Sequence, residues 1–135
     1  MRKLPKEDLL RMKEDILAKA AKLPDRSVDE PPPTGTIVSR GSFAGAVEGE
    51  AVLFRGVDGA CVLRIENFRV DNAPDLHVVL MGNGAPVARE LRGNAGSQNV
   101  SVPAGQYRAA QICSLLFQET FGEAALQKSV EAVGN

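Results

Sequence analysis

The chain is short of nearly everything that side-chain chemistry is usually built from. It has one histidine and two cysteines, and neither cysteine has a Cys-x-x-Cys neighbour, so no metal or dithiol motif can be read from local spacing. Tryptophan is missing, and five Phe with one Tyr are too few to build the aromatic-and-basic ladder that stacks single-stranded bases. An excess of charge is lacking too. Sixteen Lys and Arg stand against seventeen Asp and Glu, a net of −1, which gives no field to hold a polyanion by counterion release. Nucleic acid is excluded as a partner on both grounds. No apolar run approaches the roughly 18 residues of a bilayer span, and the N-terminal stretch lacks the apolar core of a signal peptide, so no transmembrane segment is expected.

What is present divides into three parts, within a length that suits one domain and an appendage. Residues 1–24 read as an amphipathic helix. Pro5 sits where a first helical turn tolerates it, Glu7 and Asp8 follow at the positive end of the dipole, and Leu9, Met12, Ile16 and Ala20 recur at helical spacing. Lys19 and Lys22 lie near the end and Pro24 stops it. Such a stripe either covers a face of the domain or leads from a tether, or else binds a partner. Residues 25–34, with Asp29-Glu30 running into Pro31-Pro32-Pro33, read as a stiff extended linker.

From residue 35 to 135 the period changes to alternation, punctuated by turn signals, which is the pattern of an all-β antiparallel sandwich or barrel-like domain. Asp58-Gly59 and Asn83-Gly84 each suit a two-residue hairpin turn, joining Ala51–Arg55 to Ala60–Glu66 and Leu76–Met81 to Val87–Leu91. Cys61, Leu63 and Ile65 share one face, expected to be core, opposite Arg64 and Glu66. Asp75–Met81 reads as a central strand, Ser97–Val102 as a weaker one, and Tyr107–Leu116 as the last long strand. In that strand Ala110, Ile112, Ser114 and Leu116 share one face, while Tyr107, Ala109, Gln111, Cys113 and Leu115 share a wetter one. Phe117, Phe121, Ala124 and Leu126 supply a closing turn and a short edge strand.

Few residues invite a chemical reading. His77 stands nearly alone, with Asp75 two residues away on the same side of its strand, an arrangement that suits a hydrogen-bonded structural histidine better than a metal ligand. Gly93-Asn94-Ala95-Gly96 lacks the Lys-Ser and the following helix of a phosphate-cradling loop and reads as a turn. The arginines from Arg40 to Arg108 read as a solvated face with cross-strand ion pairs, with anion recognition as the alternative. No residue is assigned a catalytic or metal-binding role.

Several stretches taken together resemble a known family. Gly41-Ser42-Phe43, Gly49, Leu63 to Phe68, Pro74-Asp75-Leu76-His77-Val78, Leu91-Arg92-Gly93-Asn94-Ala95-Gly96-Ser97-Gln98-Asn99, Pro103, Phe117, Phe121-Gly122 and Ala124 occur in the order of the electron-transfer DM-thirteen domain family. The likeness spans roughly Gly41 to Leu126, and Pro24-Asp25 through Val28-Asp29-Glu30 also resembles what precedes this domain in membrane-tethered bacterial members. The resemblance implies a β-sandwich or barrel-like module outside the cytoplasm, membrane-tethered or periplasmic, accompanying DOMON domains in some animal proteins. It also implies a redox or electron-transfer role with a protein redox partner; it names no cofactor. That role rests on a cysteine in the last long strand. Aligned on Ile112 and Phe117, the family's cysteine falls on Ser114 and its aromatic on Cys113, so Cys113 becomes the redox candidate only if a one-residue bulge re-aims it. Asp75, His77 and Ser114 are then its polar neighbours. Cys113 is alternatively a small buried apolar residue, or the partner of Cys61 in a disulfide, which needs Cα atoms within about 7 Å. A non-catalytic binding or structural module at a cell surface is the competing function.

Overall fold

A computed structural model describes residues 6–128; the ends of the expected helix and of the expected β region, residues 1–5 and 129–135, lie outside the described residues. Among the described residues helix α1 (Lys6–Ala21) precedes ten strands. These are β1 (Ser27–Asp29), β2 (Thr36–Gly45), β3 (Glu48–Arg55), β4 (Cys61–Arg69), β5 (Leu76–Gly82), β6 (Val87–Glu90), β7 (Ala95–Val102), β8 (Tyr107–Ser114), β9 (Glu119–Ala125) and β10 (Gln127–Lys128). They form one sheet in the order β1-β7-β4-β3-β2-β9-β8-β5-β6, with β10 beside β2. Every pairing is antiparallel except that of β1 with β7. The all-β, barrel-like domain with an N-terminal helix expected from the alternation is what forms, with one parallel strand added at its edge.

Curling follows from where strands change partners. Thr36–Ser42 of β2 pairs with β3, whereas Phe43–Gly45 pairs with β9, so β2 turns the corner between two halves of the sheet. At the far side β6 returns toward β7, where Arg89 Nε donates to the Ser101 carbonyl at 3.1 Å. The inward residues of every long strand meet in one core that includes Phe43, Leu53, Leu63, Ile65, Phe68, Leu80 and Ile112. Cys61, Leu63 and Ile65 lie on the core face as alternation requires.

Local chemistry moved several boundaries. The β3–β4 connection is a longer loop, closing from Gly56 N to Ala60 O at 2.9 Å, because the Asp58 carboxylate accepts the Ala60 N–H. Neither Asn83 nor Gly84 takes a positive φ, and the last β5–β6 pair is Leu80 with Val87. Pro86 has no N–H to extend that ladder. β8 ends at Ser114, since Leu115 to Gln118 form a turn with Gln118 at φ 52°. β9 is no edge strand; it lies between β2 and β8.

The segment expected as a linker over 25–34 is extended, but its first half is a strand of the sheet rather than a spacer. Helix α1 buries no residue fully. It rests on the domain through Leu17 and through Lys13 Nζ, 2.8 Å from Glu119 Oε1. The stripe expected to cover the domain points elsewhere: Leu9, Met12 and Ile16 are 51%, 50% and 40% exposed. Among the described residues no helix is long and apolar enough to cross a membrane.

Candidate functional site

Leu91–Asn99 and the segment before the prolines fold against each other. Gly93 and Gly96 let the N-terminal segment lie directly on β7: a Cβ at Gly93 would stand 2.1 Å from the Arg26 carbonyl oxygen, and one at Gly96 would stand 2.0 Å from that of Val28. Asn94, fully buried, then locks the layers together. Its Oδ1 accepts the Arg26 N–H at 2.7 Å, and its Nδ2 donates to Asp25 Oδ1 at 3.0 Å and to the Val70 carbonyl at 2.8 Å. Asn72 Nδ2 donates to the Pro24 carbonyl at 2.7 Å.

A second lock sits at the other end of β1. Arg92 grips the Glu30 carboxylate with two guanidinium nitrogens, and Glu30 Oε1 accepts the Asn99 N–H at 2.8 Å. Those bonds, Arg92 first and the Asn99 amide second, hold the Glu30 carboxyl below the usual glutamate range. Arg64, read from sequence as part of a solvated face, is buried beneath this strap. Its Nη1 donates to the Glu30 carbonyl at 2.8 Å and to Asn99 Oδ1 at 3.1 Å, while its buried Nε, 3.6 Å from Glu66, has no hydrogen-bond partner among the described residues. Gly93–Gly96 is thus a packing surface for backbone rather than a simple turn.

The thiol neighbourhood lies at the start of β5 and the end of β8. Pro74-Asp75 acts as a hinge: Asp75 takes φ 59°, a conformation that Asp tolerates better than most residues. Its carbonyl then faces both the Leu115 N–H, at 3.3 Å, and His77 Nδ1, at 2.9 Å. Nδ1 must carry the proton in that contact, since a carbonyl only accepts, and in a neutral ring this leaves Nε2 as the lone-pair nitrogen. Asp75 Oδ1 is 3.5 Å from the same Nδ1. His77 is directly opposite Cys113 in the β5–β8 ladder, so Asp75, His77 and Cys113 do come together on the outer face. Ser114 does not join them. It faces the interior, fully buried, with its hydroxyl donating to the Pro74 carbonyl at 2.8 Å.

The bulge needed to move Cys113 into the position of Ser114 is not in β8. Leu76↔Ser114, His77↔Cys113 and Val78↔Ile112 run in unbroken register, and the irregularity opposite Ile112/Cys113 places the extra residue, Phe121, on β9. Cys113 keeps to the face of Gln111 yet is only 5% exposed. Burial, and secondarily the Asp75 charge, push its thiol pKa above the ordinary value. Both cysteines are free. Cys61 neighbours Tyr107, whose hydroxyl pKa is raised by burial first and by Cys61 next. Since Tyr107 and Cys113 stand at opposite ends of β8, about 20 Å apart at ~3.3 Å per residue, a Cys61–Cys113 disulfide is ruled out.

Among the described residues no three His, Cys, Asp or Glu side chains converge closely enough to hold a metal ion. Sequence reasoning passed over Glu30, Asn72 and Asn94, which organise the strap. The sequence holds a polar turn and an acidic pre-proline segment, but a partner about 69 residues away leaves no local period to read. No protein-family model, curated protein or solved structure matches the chain.

Proposed function

We propose that this chain is a non-catalytic binding module. The observation that carries the reading is the orientation of α1. A surface helix ordinarily turns its apolar stripe to the core; here Leu17 makes the contact and Leu9, Met12 and Ile16 are left half exposed, available to a partner. The resemblance to DM-thirteen domains supports a location outside the cytoplasm, as an accessory domain. The thiol argues against a redox role for this member, because a buried cysteine with a raised pKa supplies little thiolate and the family's own cysteine position holds Ser114.

Two measurements test it. Met12→Glu and Ile16→Glu should leave thermal stability within about 0.5 kcal/mol, as for surface sites, whereas Leu17→Glu should destabilise. Equal losses at all three positions would mean that the stripe is structural. Alkylation by iodoacetamide at neutral pH should be slower at Cys113 than for a free cysteine in solution.

A second reading, a redox-linked module with a protein redox partner, is favoured by one feature: His77 lies across the ladder from Cys113, with the Asp75 carbonyl bonded to its Nδ1. It would show itself as rapid, selective alkylation of Cys113.

A further inference from the structure

The end of the barrel remote from Cys113 holds a cavity of about 770 Å³, within the range of small-molecule sites and at a barrel mouth, where such sites recur. It opens between the starts of β2 and β8 and the ends of β3 and β5. Its wall is largely apolar, with Ile37, Leu53, Leu126 and the body of Tyr107 contributing. Three cationic residues join the lining, Arg55, Arg108 and Lys128, and among the described residues no acidic one does. Among the described residues none of these three has a carboxylate partner, although Arg40, Arg64, Arg69 and Arg92 are all paired.

Register shows how some of these groups are aimed. Arg55 follows Ala51 and Leu53 on the inward face of β3, and Lys128 pairs with Ser39, which pairs in turn with the inward residue Leu53. Ser39 is also 5% exposed, and its Oγ is buried without a hydrogen-bond partner among the described residues, a state that ordinarily costs free energy. A buried hydroxyl with no bond, on the wall of an otherwise apolar cavity, is suited to a ligand atom that accepts or donates there. At the lip stands Val57, fully exposed in the β3–β4 loop, an unusual place for a large apolar side chain with no neighbour to cover.

We propose that this mouth binds a single-chain amphiphilic carboxylate. The apolar tail enters between Leu53, Leu126 and Tyr107, and the carboxylate stays at the rim among Arg55, Arg108 and Lys128. An apolar body suits the inner wall, and an anionic head such as a carboxylate suits a rim whose charged members among the described residues are all cationic. This site is separate from α1 and from the thiol neighbourhood, so it stands whether or not the helix binds a partner.

The test uses the whole chain and decanoate as probe, with decanol as its uncharged counterpart, followed by calorimetry and by amide chemical shifts. Decanoate should bind saturably at one site, at least ten-fold more tightly than decanol, with shifts confined to residues around Ile37, Leu53, Val57 and Tyr107. Its affinity should fall with added salt while that of decanol does not. Arg55→Gln and Lys128→Gln, both at the rim, should each weaken decanoate three- to ten-fold and leave decanol unchanged, at unaltered melting temperature. If either variant loses stability, the salt dependence of the unmodified chain decides. Absence of saturable binding, equal affinity for acid and alcohol, or shifts centred on α1 or Cys113 would overturn the proposal.

Discussion

At the scale of single residues, Ser114 is the informative position. Its hydroxyl is fully buried and gives its hydrogen to the Pro74 carbonyl, fixing the hinge from which Asp75 and His77 depart. Ser114→Ala should therefore cost about 1 kcal/mol, the net worth of a part-buried hydrogen bond, measured by chemical denaturation. A similar argument applies to Gly96, which has φ 91° and no room above it. Gly96→Ala must push the Val28 backbone away, so hydrogen exchange at β1 should accelerate while exchange in the β5–β8 ladder stays slow. The faces of β8 from Ala109 to Ser114 were legible because alternation has a period of two there, but a bulge at Arg108, between the Met81↔Ala109 and Gly82↔Tyr107 pairs, turns Tyr107 from the expected wetter face to the core. The burial of Cys113 was not legible either, since Gln111 beside it marks the same face as wet. Whether an outward residue is covered depends on neighbours from other strands.

Among the elements, β1 departs furthest from what the sequence led one to expect. Three prolines after Glu30 advertise an extended, unpaired chain, and periodicity in a three-residue strand is too short to see. What makes it a strand is supplied from afar: glycines that admit its backbone, Asn94 to hold its entry, and the Arg92–Glu30–Asn99 lock at its exit. Asn94→Ala removes three hydrogen bonds of a fully buried side chain at once and should lower stability by about 2–4 kcal/mol in denaturant unfolding. Glu30 gives the lock a pH dependence of defined sign. Its folded-state pKa is depressed, so its contribution is complete above the ordinary glutamate value and is lost as pH falls through the folded-state value. The stability difference between the unmodified chain and Glu30→Gln should accordingly be present at pH 7 and vanish in strong acid; a difference that persists in acid would contradict the carboxylate lock.

For the whole molecule, the boundary between appendage and domain falls near residue 22 rather than at the prolines. Helix α1 buries no residue fully, while the segment from Asp25 to Pro31 is bonded throughout to β7 and the loop before it. A chain beginning at Lys22 should keep most of its stability; one beginning at Pro32 should lose the cover of Arg64 and Asn94 and unfold far more readily. The change of period at residue 35 made the barrel visible in the sequence, because each strand's inward face reports on the same core. The strap was hidden, as were the mouth and its cationic rim, since these depend on which strand ends the curl brings together.

The proposed reading rests on the outward stripe of α1, and it parts from the redox alternative at the thiols, which it expects to be quiet. An absorbance spectrum of the purified chain, paired with intact-mass counting of alkylated thiols in denaturant before and after reduction, tests this most directly. The account predicts no visible absorption band and two thiols in both samples, Cys61 and Cys113 being free. A bound chromophore, or a thiol count that rises on reduction, would contradict it.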